Sequence, residues 1–345
     1  MTAWRDSSLP LLLAAGVAGV MLGARLMPAR EATKALIPAG EYESASTPAV
    51  SYDGRQLVFS GRRASDGVTG IWEMAVGDTK ARLVTRGNGY PVDPVYLPDD
   101  RILYSDAVFT DRAGPGEARA LFSCRDDGTE LARLTFGGHV DGRAGVLRDG
   151  RVGFERRFGS SISRRSSIRM TIHPDGTQVA FAGDGDQPAV TSGGTRLPQV
   201  RPPILTSVVS ADRSTGTLLC LNVYESRLPE IVRLAPGSIR SVLVRQEGQG
   251  TSAESLGEAP VHADGSFFIE VPADVALRLT LLGEDRRPLA SLDSGIWVRP
   301  NENRGCIGCH EEPDLAPENR RPLAIAEPAA PLAIVSPVAG VNHAD

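Results

Sequence analysis

Two cysteines and a histidine near the end of the 345-residue chain have a spacing suited to covalent cofactor chemistry. They are Cys306, Cys309 and His310, in the order Cys-x-x-Cys-His. Two thiols at this spacing can add across the two vinyl groups of one haem, and the adjacent imidazole can then bind the iron. The motif therefore predicts one covalently attached haem c, held by Cys306 and Cys309, with His310 as an axial ligand of the iron.

Other uses of two cysteines at this spacing fit the sequence less well. A structural zinc site normally has a second pair of ligands at similar spacing. The remaining cysteines, Cys124 and Cys220, are far apart and do not form such a pair. A redox-active dithiol is expected beside a βαβ pattern, and none precedes the motif. Haem attachment is therefore the favoured interpretation.

The second axial ligand of the haem decides between two kinds of chemistry. Iron with two strong protein ligands transfers electrons, whereas an open face binds small molecules. His262, which precedes the motif, and His343, on the tail, are the first candidates for the sixth ligand. The other candidates are His139, His173, Met74 and Met170, of which His173 and Met170 have the pattern of strand and turn residues. The absence of any second ligand is also open.

The N-terminus has the pattern of an export signal. An uncharged apolar run from Leu9 to Gly23 follows Arg5 and precedes Arg25. We therefore predict a signal peptide or membrane anchor helix over 1–30, with the anchor favoured, and a linker over 31–45. Either version predicts a periplasmic protein, and the anchor predicts attachment to the inner membrane. The net charge of −5 gives no electrostatic case for binding nucleic acid.

An internal repeat predicts propeller blades over 46–184. Each of three units has short alternating strands interrupted by turns of the Asp-Gly type, at Asp53-Gly54, Asp99-Asp100 and Asp149-Gly150. The period is close to the roughly 40–50 residues of a four-stranded blade. Closed propellers normally have about 4–8 blades, so three units predict a partial or small β-propeller.

The rest of the chain predicts a second β domain and then the haem segment. Residues 185–215 are rich in glycine, proline and serine and predict a loop-rich connection. Short strands over 216–299 predict a β-sandwich. A haem-binding segment is predicted over 300–320, and an extended tail rich in proline and alanine over 321–345. The predicted fold class is all-β, with an N-terminal apolar helix.

The order of these parts resembles a known family. The repeats resemble those of TolB-type propellers, and the most specific segments are Asp264–Asp274, Trp297–Pro300 and Arg304–Glu311. Together they resemble the hydrazine synthase alpha subunit family, which implies the same fold, an extracytoplasmic location and haem attachment at the Cys-x-x-Cys-His motif. The family's enzyme is longer, carries several haems and works with partner subunits. Because this chain has one such motif and a shortened propeller, N–N bond formation is not predicted.

These observations predict a periplasmic, membrane-anchored monohaem c-type cytochrome that relays electrons within a larger membrane redox complex. An electron carrier or accessory subunit is favoured over a catalyst. One alternative is a scaffold subunit that stabilises a membrane electron-transfer or photosynthetic complex. Another is a haem enzyme acting on a small nitrogen or oxygen species. The predicted partners are the membrane, through the N-terminal helix, and other redox or photosynthetic subunits, with no nucleic acid.

Overall fold

Nearly all of the chain that the structure describes is β-structure. The structure is a computed structural model, and it describes residues 40–86, 89–110, 113–157, 167–183, 185–186, 188–191, 200–247, 254–309, 316 and 319–334. The all-β prediction is confirmed, with blade-like sheets followed by a sandwich. The predicted N-terminal helix lies outside the described residues. Among the described residues, no helix is long and apolar enough to cross a membrane.

Three antiparallel meanders of four strands form the propeller-like part. The first is a separate sheet, and the other two join through a single parallel bridge between Arg119 and Val140. Their strands are β1 Tyr42–Val50, β2 Gln56–Arg63, β3 Thr69–Ala75, β4 Arg82–Arg86, β5 Val92–Tyr96, β6 Ile102–Thr110, β7 Ala113–Cys124, β8 Ala132–Arg133, β9 Val140–Leu147, β10 Val152–Arg157, β11 Ser167–Ile172 and β12 Ala180–Phe181. Strand β13, Pro188–Thr191, falls in the segment predicted to be loop-rich and pairs with β9.

The same tight turn joins the first and second strands of each blade. Asp53, Asp99 and Asp149 each accept a hydrogen bond from the backbone N–H two residues later, at 3.0, 3.3 and 3.0 Å. Gly54 and Gly150 have φ angles of 74° and 90°, which glycine adopts without a steric penalty. The Asp-Gly pattern thus fixes these hairpins through local side-chain and backbone chemistry.

The first strand of each blade carries a β-bulge with a non-glycine residue at positive φ. These residues are Thr47, Asp93 and Arg143, with φ angles of 49°, 55° and 50°. The Asp93 N–H donates to Thr47 Oγ1 at 3.2 Å, and the Arg143 N–H donates to Asp93 Oδ2 at 3.0 Å. The second and third bulges therefore each donate a backbone N–H to the side chain of the preceding blade's bulge, which links neighbouring blades in order.

Two further sheets pack as a sandwich. One has the order β17-β14-β20 and the other β16-β15-β18-β19. The strands are β14 Thr215–Cys220, β15 Ser241–Gln246, β16 Ser255–Pro260, β17 Phe267–Pro272, β18 Leu277–Leu282, β19 Pro288–Ile296 and β20 Asn303–Cys306. A short helix, α1, spans Pro229–Val232, and 3₁₀ turns span Glu284–Arg286 and Leu323–Ala326. The tail lies along the sandwich, where Ala330 and Ala333 bridge to Ile269 and Glu258.

The propeller and the sandwich share part of one core. Trp297, which is 1% exposed, belongs to the apolar cluster of the blades although it follows the last long strand of the sandwich. Its ring lies 6.0 Å from that of Phe136. The buried Glu302 accepts hydrogen bonds from the backbone N–H groups of Gln178 and Arg299, at 2.9 and 2.8 Å. These contacts fix blade three against the segment that leads into the Cys-x-x-Cys motif.

Candidate functional site

Strand β20 positions the first cysteine of the motif inside the sandwich. It pairs in parallel with β14, so that Leu218 lies opposite Arg304 and Cys220 opposite Cys306. Residues two apart on a strand face the same side of the sheet, so Arg304 and Cys306 share a face with Cys220. The pairing is between segments more than 80 residues apart, and it brings a third thiol to the motif.

Backbone hydrogen bonds hold the turn that follows β20. Leu221 and Asn222 donate their N–H groups to the carbonyls of Cys306 and Ile307, both at 3.0 Å. The Cys309 N–H donates to the Glu225 carbonyl at 3.1 Å. The turn is therefore fastened along its length to the segment after β14, and the second cysteine occupies a fixed position.

The three thiols of this cluster differ in exposure. Cys306 is half-buried, whereas Cys220 and Cys309 are 2% and 5% exposed. The Cys220 thiol hydrogen-bonds to Cys309, and this contact together with burial raises the pKa of Cys220 well above its usual range. Cys220 therefore remains a protonated thiol at neutral pH. Its S–H can donate to the Cys309 sulfur.

A cavity of about 400 Å³ opens beside these thiols. This volume is within the range of small-molecule and cofactor sites. The cavity lies between blade three and the sandwich, and its lining is mostly apolar: Met170, Val179, Phe181, Leu218, Leu219, Phe267, Ile296 and Trp297, together with Cys220, Cys306 and Cys309. Met170, 7% exposed, is the one methionine in this lining, and no described histidine lines it.

Two arginines bring positive charge to the cavity. Arg156 is buried and donates from Nε and Nη2 to the two carboxylate oxygens of Asp141, both at 2.8 Å. Its guanidinium carbon also lies 5.1 Å from the centre of the Trp297 ring. Arg304 donates to the carbonyls of Trp297 and Val179, at 3.1 and 3.0 Å. Arg156 is neutralised by its carboxylate partner, whereas the hydrogen bonds that Arg304 donates to Trp297 and Val179 go to uncharged carbonyl oxygens.

The structure separates the histidines that the sequence singled out. His262 lies in the turn between β16 and β17, where its N–H donates to the Ser266 carbonyl at 2.8 Å, and it does not line the cavity. His173 occupies the turn after β11. The predicted axial ligand His310 and the candidate His343 lie outside the described residues. Met74 packs in the core of blade one, away from this lining.

Met170 is the candidate ligand that sequence reasoning undervalued. Its position on a blade strand is as the sequence indicates, in register opposite Phe154. That face of the strand lines the cavity because blade three packs against the sandwich. A local sequence pattern does not predict this packing. In the part of the chain that the structure describes, no group of three or more histidine, cysteine, aspartate or glutamate side chains has the geometry to hold a metal ion.

The partly buried His139 makes the free energy of unfolding depend on pH. Burial lowers its pKa from 6.5 to about 4, and repulsion from Arg156 adds to the effect. Its neutral form is favoured in the folded state, so its contribution is fully present above pH 6.5 and is lost as the pH falls toward 4. We expect a loss of about 2 kcal/mol between pH 7 and pH 5 from this group.

Urea unfolding at pH 7 and pH 5 measures this loss of stability. The His139→Gln variant should lose less stability than the native chain between pH 7 and pH 5. The comparison is of pH dependence, so a uniform destabilisation by the substitution does not affect it. Identical pH dependence in the two proteins would contradict the assignment.

The chain resembles known proteins in its middle domain and in its fold. A family model described as the hydrazine synthase alpha subunit middle domain matches residues 243–311. Hydrazine synthase from Kuenenia stuttgartiensis has a similar fold, with a TM-score of 0.68 at 14% identity; the match covers 83% of this chain and 65% of that one. A TolB from Agrobacterium tumefaciens matches at a TM-score of 0.34 with 21% identity, over 41% of this chain and 50% of that one. No curated protein matches the sequence.

The fold and the site thus define an all-β protein whose propeller blades precede a sandwich ending in a Cys-x-x-Cys turn. The predicted resemblance to the hydrazine synthase alpha subunit family is confirmed: its middle-domain model matches residues 243–311, and the fold of the chain is similar to that of hydrazine synthase.

These matches correct the functional prediction. The electron-relay cytochrome is wrong, because both the matched segment and the shared fold are those of an enzyme, hydrazine synthase. The membrane anchor stays a prediction, since residues 1–30 are outside the described part of the chain.

Proposed function

We propose that this chain is a haem-holding subunit of a multi-subunit redox enzyme. Cys306 and Cys309 would hold a haem c in the cavity between blade three and the sandwich, and His310 would bind its iron. The observation that carries the proposal is that both cysteines of the motif line that cavity. In this role the chain is a component of an enzyme and not an electron carrier.

The residues of the cavity fit such a group in three respects. The two motif thiols form part of the wall, as covalent attachment requires. Trp297, Phe267 and Leu219 provide the apolar surroundings that a flat macrocycle needs. Arg304 lies on the same strand face as Cys306 and supplies a cation that can pair with a carboxylate.

The chain's own side chains have distinct roles in this proposal. Cys306 and Cys309 would hold haem through thioethers, each thiol adding its sulfur to one carbon of a vinyl group and its proton to the other. The Cys220 thiol can still donate to Cys309 afterwards, since a thioether sulfur accepts weak hydrogen bonds. Trp297 and Met170 exclude water, which strengthens electrostatic interactions inside the cavity. When bound, haem would supply an iron that exchanges electrons and binds small molecules.

The substrate class and location follow from the same proposal. A small inorganic nitrogen compound is the first class to test, because the enzyme that shares the fold is a hydrazine synthase. The partners would be the other subunits of the enzyme. The location would be the periplasm, where c-type haem is attached and toward which the N-terminal export pattern directs the chain.

Production of the full chain with a cytochrome c maturation system tests the attachment. We expect a haem stain that persists on a denaturing gel, and its loss when Cys306 and Cys309 are both replaced by alanine. Cys124→Ala is the matched control, since Cys124 is buried among the blades and does not line the cavity. A native chain without covalent haem, in a host that matures another c-type cytochrome, would contradict the proposal.

Optical spectra of the reduced protein with and without carbon monoxide test the enzymatic role. An open axial position predicts a shift on adding carbon monoxide. An unchanged spectrum would show both positions held by strong ligands and would overturn the enzyme proposal while leaving haem attachment intact.

A further inference from the structure

Cys220 is a third thiol that the proposed haem attachment does not use. It lies opposite Cys306 in the parallel ladder of β14 and β20 and hydrogen-bonds to Cys309. The hydrogen bond places the sulfurs of Cys220 and Cys309 next to each other, so Cys309 is the thiol already within reach of Cys220. Cys220 and Cys309 also belong to one apolar cluster and line the same cavity.

We propose that Cys220 and Cys309 form a disulfide in the haem-free protein, and that this bond withholds Cys309 from haem. The second half of the proposal rests on the proposed function, and the first half does not. The cross-link would close the sandwich around the turn before the cofactor arrives. Attachment at both cysteines would then require a thiol reductant.

The bond forms by exchange with an oxidised dithiol or with oxidised glutathione. The two S–H bonds of Cys220 and Cys309 break and one S–S bond forms. Two electrons and two protons pass to the donor disulfide, which becomes two thiols. Haem addition needs the Cys309 S–H itself, because its proton and sulfur add to a vinyl group, so a disulfide at this sulfur blocks that addition.

The other two cysteines should remain reduced. Cys306 is the most exposed member of the cluster, and it stays available for a single thioether. Cys124 is buried in the separate cluster of the blades, together with Val95 and Leu121. It therefore has no partner in the thiol cluster and serves as an internal reference.

Mass spectrometry of the full chain, produced without a haem maturation system and exposed to oxidised glutathione, tests the bond. Free thiols are alkylated in denaturant and the protein is digested without reduction. We expect a linked pair of peptides containing Cys220 and Cys309, with Cys306 and Cys124 alkylated. Alkylation of all four cysteines, or a bond joining Cys306 to either partner, would overturn the proposal.

The Cys220→Ser variant tests the consequence for haem. With the maturation system present and no added reductant, this variant should hold severalfold more doubly attached haem than the native chain, and added thiol reductant should remove the difference. Cys124→Ser should behave as the native chain. Equal loading of native chain and Cys220→Ser would overturn the blocking role. Absence of haem from every variant, with the linked peptides still found, would instead refute the proposed function and leave the disulfide standing.

Discussion

Replacing Arg156 with methionine should lower the free energy of unfolding by about 3–5 kcal/mol, which is the usual loss when one partner of a buried ion pair is removed. The side chains of Arg156 and Asp141 are 6% and 3% exposed, and two hydrogen bonds of 2.8 Å join them. Methionine fills much of the space but leaves the Asp141 carboxylate buried without its countercharge. The Phe154 ring, 5.6 Å from the guanidinium, would lose its cationic neighbour as well.

Urea unfolding with a matched surface variant measures this effect. Arg143→Met removes an exposed guanidinium that lies 3.5 Å from the Glu155 carboxylate and keeps the backbone N–H, and it should change stability by no more than about 0.5 kcal/mol. The double variant Arg156→Met, Asp141→Asn should recover part of the loss, because no uncompensated charge remains. Equal losses for Arg156→Met and Arg143→Met would show that the buried pair is not a stabilising feature.

Replacing Gly308 with alanine should abolish most covalent haem loading and destabilise the turn. A Cβ at this position would lie 1.9 Å from the Glu225 carbonyl oxygen and 2.7 Å from the Glu225 Cβ. The first of these atoms belongs to the backbone that accepts the Cys309 N–H, so it cannot rotate away. Either the turn shifts or that hydrogen bond breaks, and both move the Cys309 sulfur. Overpacking of this kind typically costs about 1–3 kcal/mol.

Gly305→Ala is the control for this substitution. It adds the same methyl group three residues earlier, where a Cβ would meet no atom within 4 Å. Haem staining per mole of protein and the thermal unfolding midpoint are the two measurements. Gly305→Ala should match the native chain in both, and native-like loading of Gly308→Ala would show that the turn tolerates displacement.

The repeats could be predicted because local chemistry fixes them. The aspartates Asp53, Asp99 and Asp149 each accept a hydrogen bond from a backbone group two residues away, so a short window of sequence contains both partners. The strands of the sandwich could also be predicted, since Leu277–Leu282 and Phe267–Pro272 are apolar or alternating segments between turns. All-β structure and its division into blades and sandwich followed from these signals.

The site depended on contacts that no short window contains. The parallel pairing of β14 with β20 brings Cys220 opposite Cys306, although the two cysteines are more than 80 residues apart in the sequence. Met170 was correctly read as a blade residue, but its place in the cavity is set by the docking of blade three on the sandwich. His262 precedes the motif in the sequence, but the turn that contains it does not line the cavity.

The hydrogen bonds between the bulges of neighbouring blades all run in one direction, from the later blade to the earlier one. At Thr47 and Asp93, the side-chain oxygen of one blade receives the backbone N–H of the next. The third position is Arg143, and a guanidinium has only donors. A fourth blade of the same design, added after the third, would find no acceptor there. The side chain of Arg143 therefore ends the series of inter-blade hydrogen bonds, as a capping repeat ends a solenoid. The element that follows blade three has a different architecture, the sandwich.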